Sequence, residues 1–112
     1  MPPARQVLLY CHHDDWDREG VLDIALALEN LSPEGSAVIT HYRIDREHSN
    51  ACAEWERRGK PDWPDEAQRV AILARSGLEC LRAPETCEIR AGRLEISFPL
   101  PVHGISLLEI RQ

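Results

Sequence analysis

The chain has 112 residues, a formal net charge of −6 and 43% hydrophobic residues. One domain with an ordinary core fits this length, whereas a catalytic (β/α)8 barrel, which typically needs about 250 residues, does not. The basic residues are scattered, and the densest group, Arg57, Arg58 and Lys60, is flanked by Glu54 and Glu56, so neither nucleic acid nor an anionic membrane is an expected partner.

No apolar run reaches the ~20 residues of a membrane span. The start, Met1-Pro2-Pro3-Ala4-Arg5, lacks the apolar core of a signal peptide. The chain therefore reads either as cytoplasmic or as a piece cut from something longer.

In chain order, residues 6–12 are apolar at both parities, the pattern of a strand buried on both faces. His13 to Gly20 is a polar, acidic loop. Residues 21–29 alternate, with Leu22, Ile24, Leu26 and Leu28 on one face, and period two argues for a half-buried strand even though Leu, Ala and Glu favour helix. Ser32-Pro33-Glu34-Gly35 is a turn signal. A third strand over 37–44 puts Val38, Tyr42 and Ile44 on one face and Ile39 and His41 on the other.

Residues 46–77 change character and predict a two-helix insertion, its helices lying within about 49–77. Ser49 or Asn50 caps the first helix, with Ala51, Cys52 and Trp55 as its apolar positions and Gly59 at its end. Asp65 and Gln68 form a capping box for the second, with Ala67, Val70, Ala71 and Ala74 as its stripe and Gly77 as the residue beyond its end. Strands follow at 78–82, 87–91, 93–98 and 104–110. The first two of these read as a hairpin, Ala91-Gly92 makes the next tight connection, and Pro99 and Pro101 stop the strand before them. About seven short strands with one interruption predict a mainly β, immunoglobulin- or fibronectin-like antiparallel sandwich, a single domain over 1–112.

The four cysteines, Cys11, Cys52, Cys80 and Cys87, have no C-x-x-C spacing, so no zinc or redox site is expected. In the predicted hairpin Cys80 and Cys87 are diagonal neighbours about 7–8 Å apart, too far for an unstrained disulfide. They read as reduced thiols acting as small apolar residues.

Four constellations could carry chemistry. His12-His13-Asp14-Asp15, with Asp17 and Glu19, offers metal-ligand types, but adjacent residues of an extended chain point to opposite faces, and a polar loop is the plainer reading. The segment 41–50 concentrates imidazole, guanidinium, carboxylate and amide, suited to hydrogen-bonding a sugar or docking on another surface; Arg43 and Asp45 share a parity and suggest an exposed ion pair. Of Trp16, Trp55 and Trp63, Trp55 sits on an apolar helix side, Trp63 packs on the insertion, and Trp16 alone is a candidate exposed stacking platform. No two carboxylates are marked as the close pair a retaining glycosidase needs. G-x-S-x-G, P-loop and H-E-x-x-H motifs are missing.

The stretch His41-Tyr42-Arg43-Ile44-Asp45-x-x-His48-Ser49-Asn50-Ala51-x-x-x-Trp55, continued by Gly59-x-Pro61-x-x-Pro64-x-x-x-Gln68, resembles the C-terminal β-sandwich region of family 39 glycoside hydrolases, the β-xylosidase and α-L-iduronidase family. The opening, Val7-Leu8-Leu9-Tyr10-x-His12-His13-Asp14-Asp15, is similar to the strand that follows the barrel there. The ending, Leu100-Pro101 to Ile105-Ser106-Leu107-Leu108-Glu109, is similar to its closing strand. Cys52 departs from an expected aromatic residue and Asp65 from an expected Thr.

The resemblance implies a support role. The family's two catalytic glutamates lie on a (β/α)8 barrel, one in an Asn-Glu dipeptide that this sequence lacks, so no catalytic residue carries over and no cofactor or metal is implied. The expected partner is a catalytic barrel, in cis or lost. His41, Arg43, Asp45, His48, Asn50 and Trp55 are candidates for a barrel-facing or substrate-proximal surface, and an exposed apolar patch should mark where the barrel sits and invite self-association. Two alternatives stand beside this: a stand-alone carbohydrate-binding module, and a small metal-binding protein using His12, His13 and the acidic loop.

Overall fold

The structure is a computed structural model describing residues 4–112; the expectation about a signal peptide falls partly on Met1 to Pro3, which lie outside them. Seven strands and two helices follow one another: β1 Ala4–Tyr10, β2 Val21–Leu28, β3 Glu34–Ile44, α1 Ala51–Arg57, α2 Glu66–Ala74, β4 Glu79–Cys80, β5 Glu85–Arg90, β6 Leu94–Pro101 and β7 Ile105–Arg111. They form a mainly β, antiparallel sandwich interrupted by a two-helix insertion. One sheet has five strands in the order β1-β7-β3, with β4 and β5 both on the far edge of β3, and the other is the ribbon β2-β6.

The alternating segment folds as the strand β2, paired with β6 from Val21↔Pro101 to Leu28↔Leu94. Its helix-forming residues yield because period two lays Ile24, Leu26 and Leu28 on one side of the ribbon, where Ile24 and Leu28 pack against a core of Leu31, Ala37, Ile39, Ile89, Leu94, Phe98, Leu100, Leu108 and Ile110. The ribbon's other side carries Asp23, Ala25, Glu95 and Ser97, all exposed. Ala91 (φ 51°) and Gly92 (φ 74°) make the tight turn that carries the chain from β5 in one sheet to β6 in the other.

Several expectations change. The segment 78–91 makes no hairpin: Cys80 pairs with Tyr42 and Cys87 with Ala37, both on β3. β4 and β5 are in effect one edge strand, broken where the five steps from Cys80 to Glu85 face only three from Tyr42 to Ile39; Pro84, which cannot donate to a ladder, lies in the break. Pro99 and Pro101 do not stop β6 but pair within it, opposite Asp23 and Val21; β6 has a strand partner on one side only, so a missing N–H is tolerated there.

Asn50 caps α1, its Oδ1 accepting from the Ala53 N–H at 2.9 Å, and Asp65 with Gln68 forms the capping box of α2. Gly59 (φ 89°) ends the first helix, whereas Gly77 lies beyond an Arg75 cap and lacks the left-handed backbone expected of it. The helix faces differ as well. Cys52, Ala67, Val70 and Ala74 are exposed, and the buried residue of α1 is Glu54, held by Arg57 at 2.7 Å and Arg58 at 3.2 Å. The four cysteines are free thiols; Cys11 and Cys87 are half-buried, but Cys52 and Cys80 are exposed rather than packed as apolar residues.

The molecule is thin. Its extents are 55 × 33 × 16 Å and its radius of gyration is 17.4 Å, where a compact domain of this length has about 13 Å. It exposes 7717 Å², against about 6,200 Å² for a compact chain of this mass.

Candidate functional site: a polar spine and an uncovered sheet face

On β3 the odd-numbered residues point inward, and they bring His41 and Arg43 into the core with side chains almost wholly buried. Arg43 Nε donates to Ser106 Oγ at 2.9 Å and Nη2 to the Pro99 carbonyl at 2.7 Å. That leaves the Ser106 hydroxyl proton free for His41 Nε2, 2.8 Å away. Phe98 meets the His41 ring edge-on at 4.6 Å. Burial first, then the Arg43 and Arg82 charges, lowers the His41 pKa to about 4, so the ring is a neutral acceptor at neutral pH.

Arg43 Nη1 reaches Asp45 Oδ2 at 3.5 Å. The same Asp45 accepts from the His48 ring at 2.9 Å and from the backbone N–H groups of Glu47 and His48, both at 2.8 Å. Burial raises the Asp45 carboxyl, but the hydrogen bonds from His48 and the backbone outweigh it and hold the group below its ordinary value. The expected exposed pair is thus a buried one, with side chains 3% and 10% exposed.

The spine continues into the insertion. Ser49 Oγ donates to the Arg43 carbonyl and accepts from the Glu79 N–H, and the Glu79 carboxylate accepts from the Ser49 N–H and from Arg75. The Ser49 N–H, and after it Arg75, hold Glu79 below its usual pKa. Asn50 Nδ2 donates to the Asp45 carbonyl at 3.2 Å. Of the six residues singled out in 41–55, five therefore belong to one network; Trp55 stands apart, its Nε1 donating to the Pro61 carbonyl at 3.0 Å. The hub, Ser106, was missed, because an isolated Ser in a strand gives no sign of the buried guanidinium beside it.

The even-numbered residues of β3 form the opposite face of the sheet, and the pairing registers join them into apolar rows. Leu8 faces Leu107, which faces Tyr42, which faces Cys80; Tyr10 faces Ile105, which faces Ile44. Leu8 is 63% and Tyr10 72% exposed. This corrects the expectation that β1 is buried on both sides: Val7 and Leu9 reach the core, while Leu8 and Tyr10 lie open. The run of apolar residues at both parities was the signal for this face.

At the Tyr10 end lies a cleft of about 470 Å³ between the 18–20 loop, the start of the insertion and the 101–103 turn. Trp16 beside it is 72% exposed and stacks on His103 at 5.0 Å. Trp63, expected to pack on the insertion, is 92% exposed. His12 pairs with Asp14, and His13 Nδ1 accepts from the Asp15 N–H, so the two imidazoles serve separate partners. Among the described residues no three metal-ligating side chains converge, and no helix is long and apolar enough to cross a membrane.

No family model and no curated protein matches this sequence. Solved structures do. The fold superposes on the bacterial orthologue of human α-L-iduronidase with a TM-score of 0.75 at 21% identity, covering 88% of this chain and 18% of that one. A monomeric β-xylosidase from Caulobacter crescentus CB15 gives 0.77 at 16% identity, covering 96% and 24%. The GH39 enzyme from Xanthomonas axonopodis pv. citri gives 0.69 at 12% identity, covering 80% and 17%. The fold is one that a GH39 enzyme carries in part of its chain. This chain spans less than a quarter of the length of each of these proteins.

Proposed function

We propose that the chain is a non-catalytic accessory domain of a family 39 glycoside hydrolase, and that it supports a catalytic barrel through the outer face of its five-stranded sheet. The observation that carries this is the match itself: nearly the whole chain corresponds to a small part of much longer enzymes. The Leu8–Leu107–Tyr42 and Tyr10–Ile105–Ile44 rows supply the apolar surface such a contact needs. The buried spine fits the same role. It fixes strand β3 to the helical insertion, and Ser106 and Arg43 are too enclosed to meet a substrate.

The test is hydrolysis. Purified chain incubated with 4-nitrophenyl β-D-xylopyranoside and with an aryl α-L-iduronide should release no phenol above the buffer rate. Turnover that persists through further purification would overturn the reading. The coding sequence upstream of Met1 gives a second check, since an in-frame barrel there would supply the partner in cis.

A further inference from the structure

The cleft at the Tyr10 end of the sheet is built by two segments that hold each other. The Val102 N–H donates to the Gly20 carbonyl at 2.9 Å, the His103 N–H to the Cys11 carbonyl at 2.7 Å, and the Cys11 N–H to the Gly104 carbonyl at 3.1 Å. The loop 11–20 is thus tied to the 101–104 turn at both of its ends. Within it the Asp15 carbonyl accepts from the Arg18 N–H at 3.1 Å and from His103 Nε2 at 2.9 Å, and Asp15 Oδ1 accepts from the Asp17 N–H at 3.0 Å. Trp16 is therefore carried on an anchored turn. His103 stacks on the ring with an interplanar angle of 26°, and His12 meets the ring edge-on at 6.0 Å. The indole remains 72% exposed, so one side is backed by an imidazole while the rest is open.

The cleft that begins at His103 has an apolar floor of Ile44, Pro101 and Val102. Asp45 and Asn50 of the polar spine line it as well, and its rim carries the guanidiniums of Arg18 and Arg46 with the carboxylates of Glu19 and Glu47, so acidic groups outnumber basic ones. The rim groups are lightly engaged. Arg46 and Glu19 approach only to 3.5 Å with both side chains largely exposed. Its volume falls in the range of small-molecule sites.

A fixed, open aromatic ring next to an apolar floor, edged by planar forked polar groups, matches a ligand with C–H faces and a rim of hydroxyls. Three carboxylates against two guanidiniums give no pull toward an anion. We infer that this cleft binds a neutral oligosaccharide, with Trp16 as the stacking platform. The cleft shares Ile44 with the proposed docking row, so it is tested on the free chain, and a chain that hydrolyses nothing can still hold a sugar.

The test is titration of the purified chain with xylohexaose, followed by calorimetry and by backbone amide shifts, with oligogalacturonate as the anionic comparison. Saturable binding of xylohexaose is expected, with shifts at 16–20, 44–46 and 101–103. Trp16→Ala should weaken it at least tenfold while shifting the melting temperature only slightly, since the ring is largely exposed and loses only its contacts with His103 and His12. Trp63→Ala should leave it unchanged, although Trp63 is the more exposed ring. No saturable binding, binding untouched by Trp16→Ala, shifts centred elsewhere, or a preference for oligogalacturonate would each overturn the proposal. None of these outcomes would bear on whether the chain is catalytic.

Discussion

Odd-numbered residues of β3 point into the sandwich and bring His41 and Arg43 with them, whereas Val38, Tyr42 and Ile44 point away from the β2-β6 ribbon. One face of a single strand thus buries its charged side chains, and the other leaves aliphatic and aromatic ones in the open. Each arrangement is costly alone: a buried guanidinium must be fully paired, and open apolar rows gain nothing from water. The inner face meets its cost locally, through Ser106, Asp45 and the Pro99 carbonyl. The outer face has no such compensation among the described residues, and this difference separates the part of the sheet that is satisfied within the chain from the part that is not.

The comparison breaks most visibly at Arg43. Arg43→Ala should destabilise by about 3–5 kcal/mol, because Ser106 and the Pro99 carbonyl would lose their buried donor and the missing side chain would leave a cavity. Against a total stability of about 5–15 kcal/mol, a loss of that size should lower the urea midpoint far below the parent's. Leu108→Ala, at the centre of the core with 0% exposure, should cost about 2–5 kcal/mol by the same measurement.

Acid should act on the inner face as well. Unfolded His41 takes up a proton near 6.5, while the folded ring resists until about 4. The unfolded state therefore binds more protons in that window, and stability should fall from pH 6.5 toward pH 4 by on the order of 2 kcal/mol. Asp45 acts in the same direction lower down: its lowered folded pKa stabilises above the ordinary carboxylate value and is lost as the pH falls through the folded one. Urea midpoints at pH 7, 5.5 and 4 would show the decline, and His41→Asn should flatten its upper part.

Much of this fold was legible in the residues. The period-two pattern from Leu22 to Leu28 outweighed helix-forming composition because a strand needs only one apolar side to be held. Asn50, Asp65 and Gly92 announced a cap, a capping box and a turn through chemistry local to a few residues. What was hidden is what local chemistry does not encode. Parity sorted β3 into two faces without saying which is inside, so Arg43 and Asp45 read as a surface pair. The pairing of Cys80 with Tyr42, rather than with the next segment, is a long-range choice made by the free edge of β3. At the candidate site, segment 41–50 was found from its composition, but Ser106 and the stack of Trp16 on His103 needed the fold to bring distant residues together.

Smaller effects sharpen the boundary between the two regions. Asn50→Ala removes the α1 cap and one bond to the Asp45 carbonyl, and should cost about 1 kcal/mol. A shallow loss of that size, read from thermal unfolding, would place the insertion on the structural side of the comparison while leaving the outer rows untouched.

The outer rows themselves should contribute least. The triple variant Leu8→Thr, Tyr10→Thr, Ile44→Thr keeps strand-favouring residues while removing the most open apolar side chains of the two rows. If that face serves a partner and not this chain, the variant should unfold within about 0.5 kcal/mol of the parent and lose most of the binding of a hydrophobic fluorescent dye that the parent shows. A variant that collapses to an unfolded chain, or one that binds the dye as strongly as before, would contradict the claim that this sheet face is an uncovered docking surface.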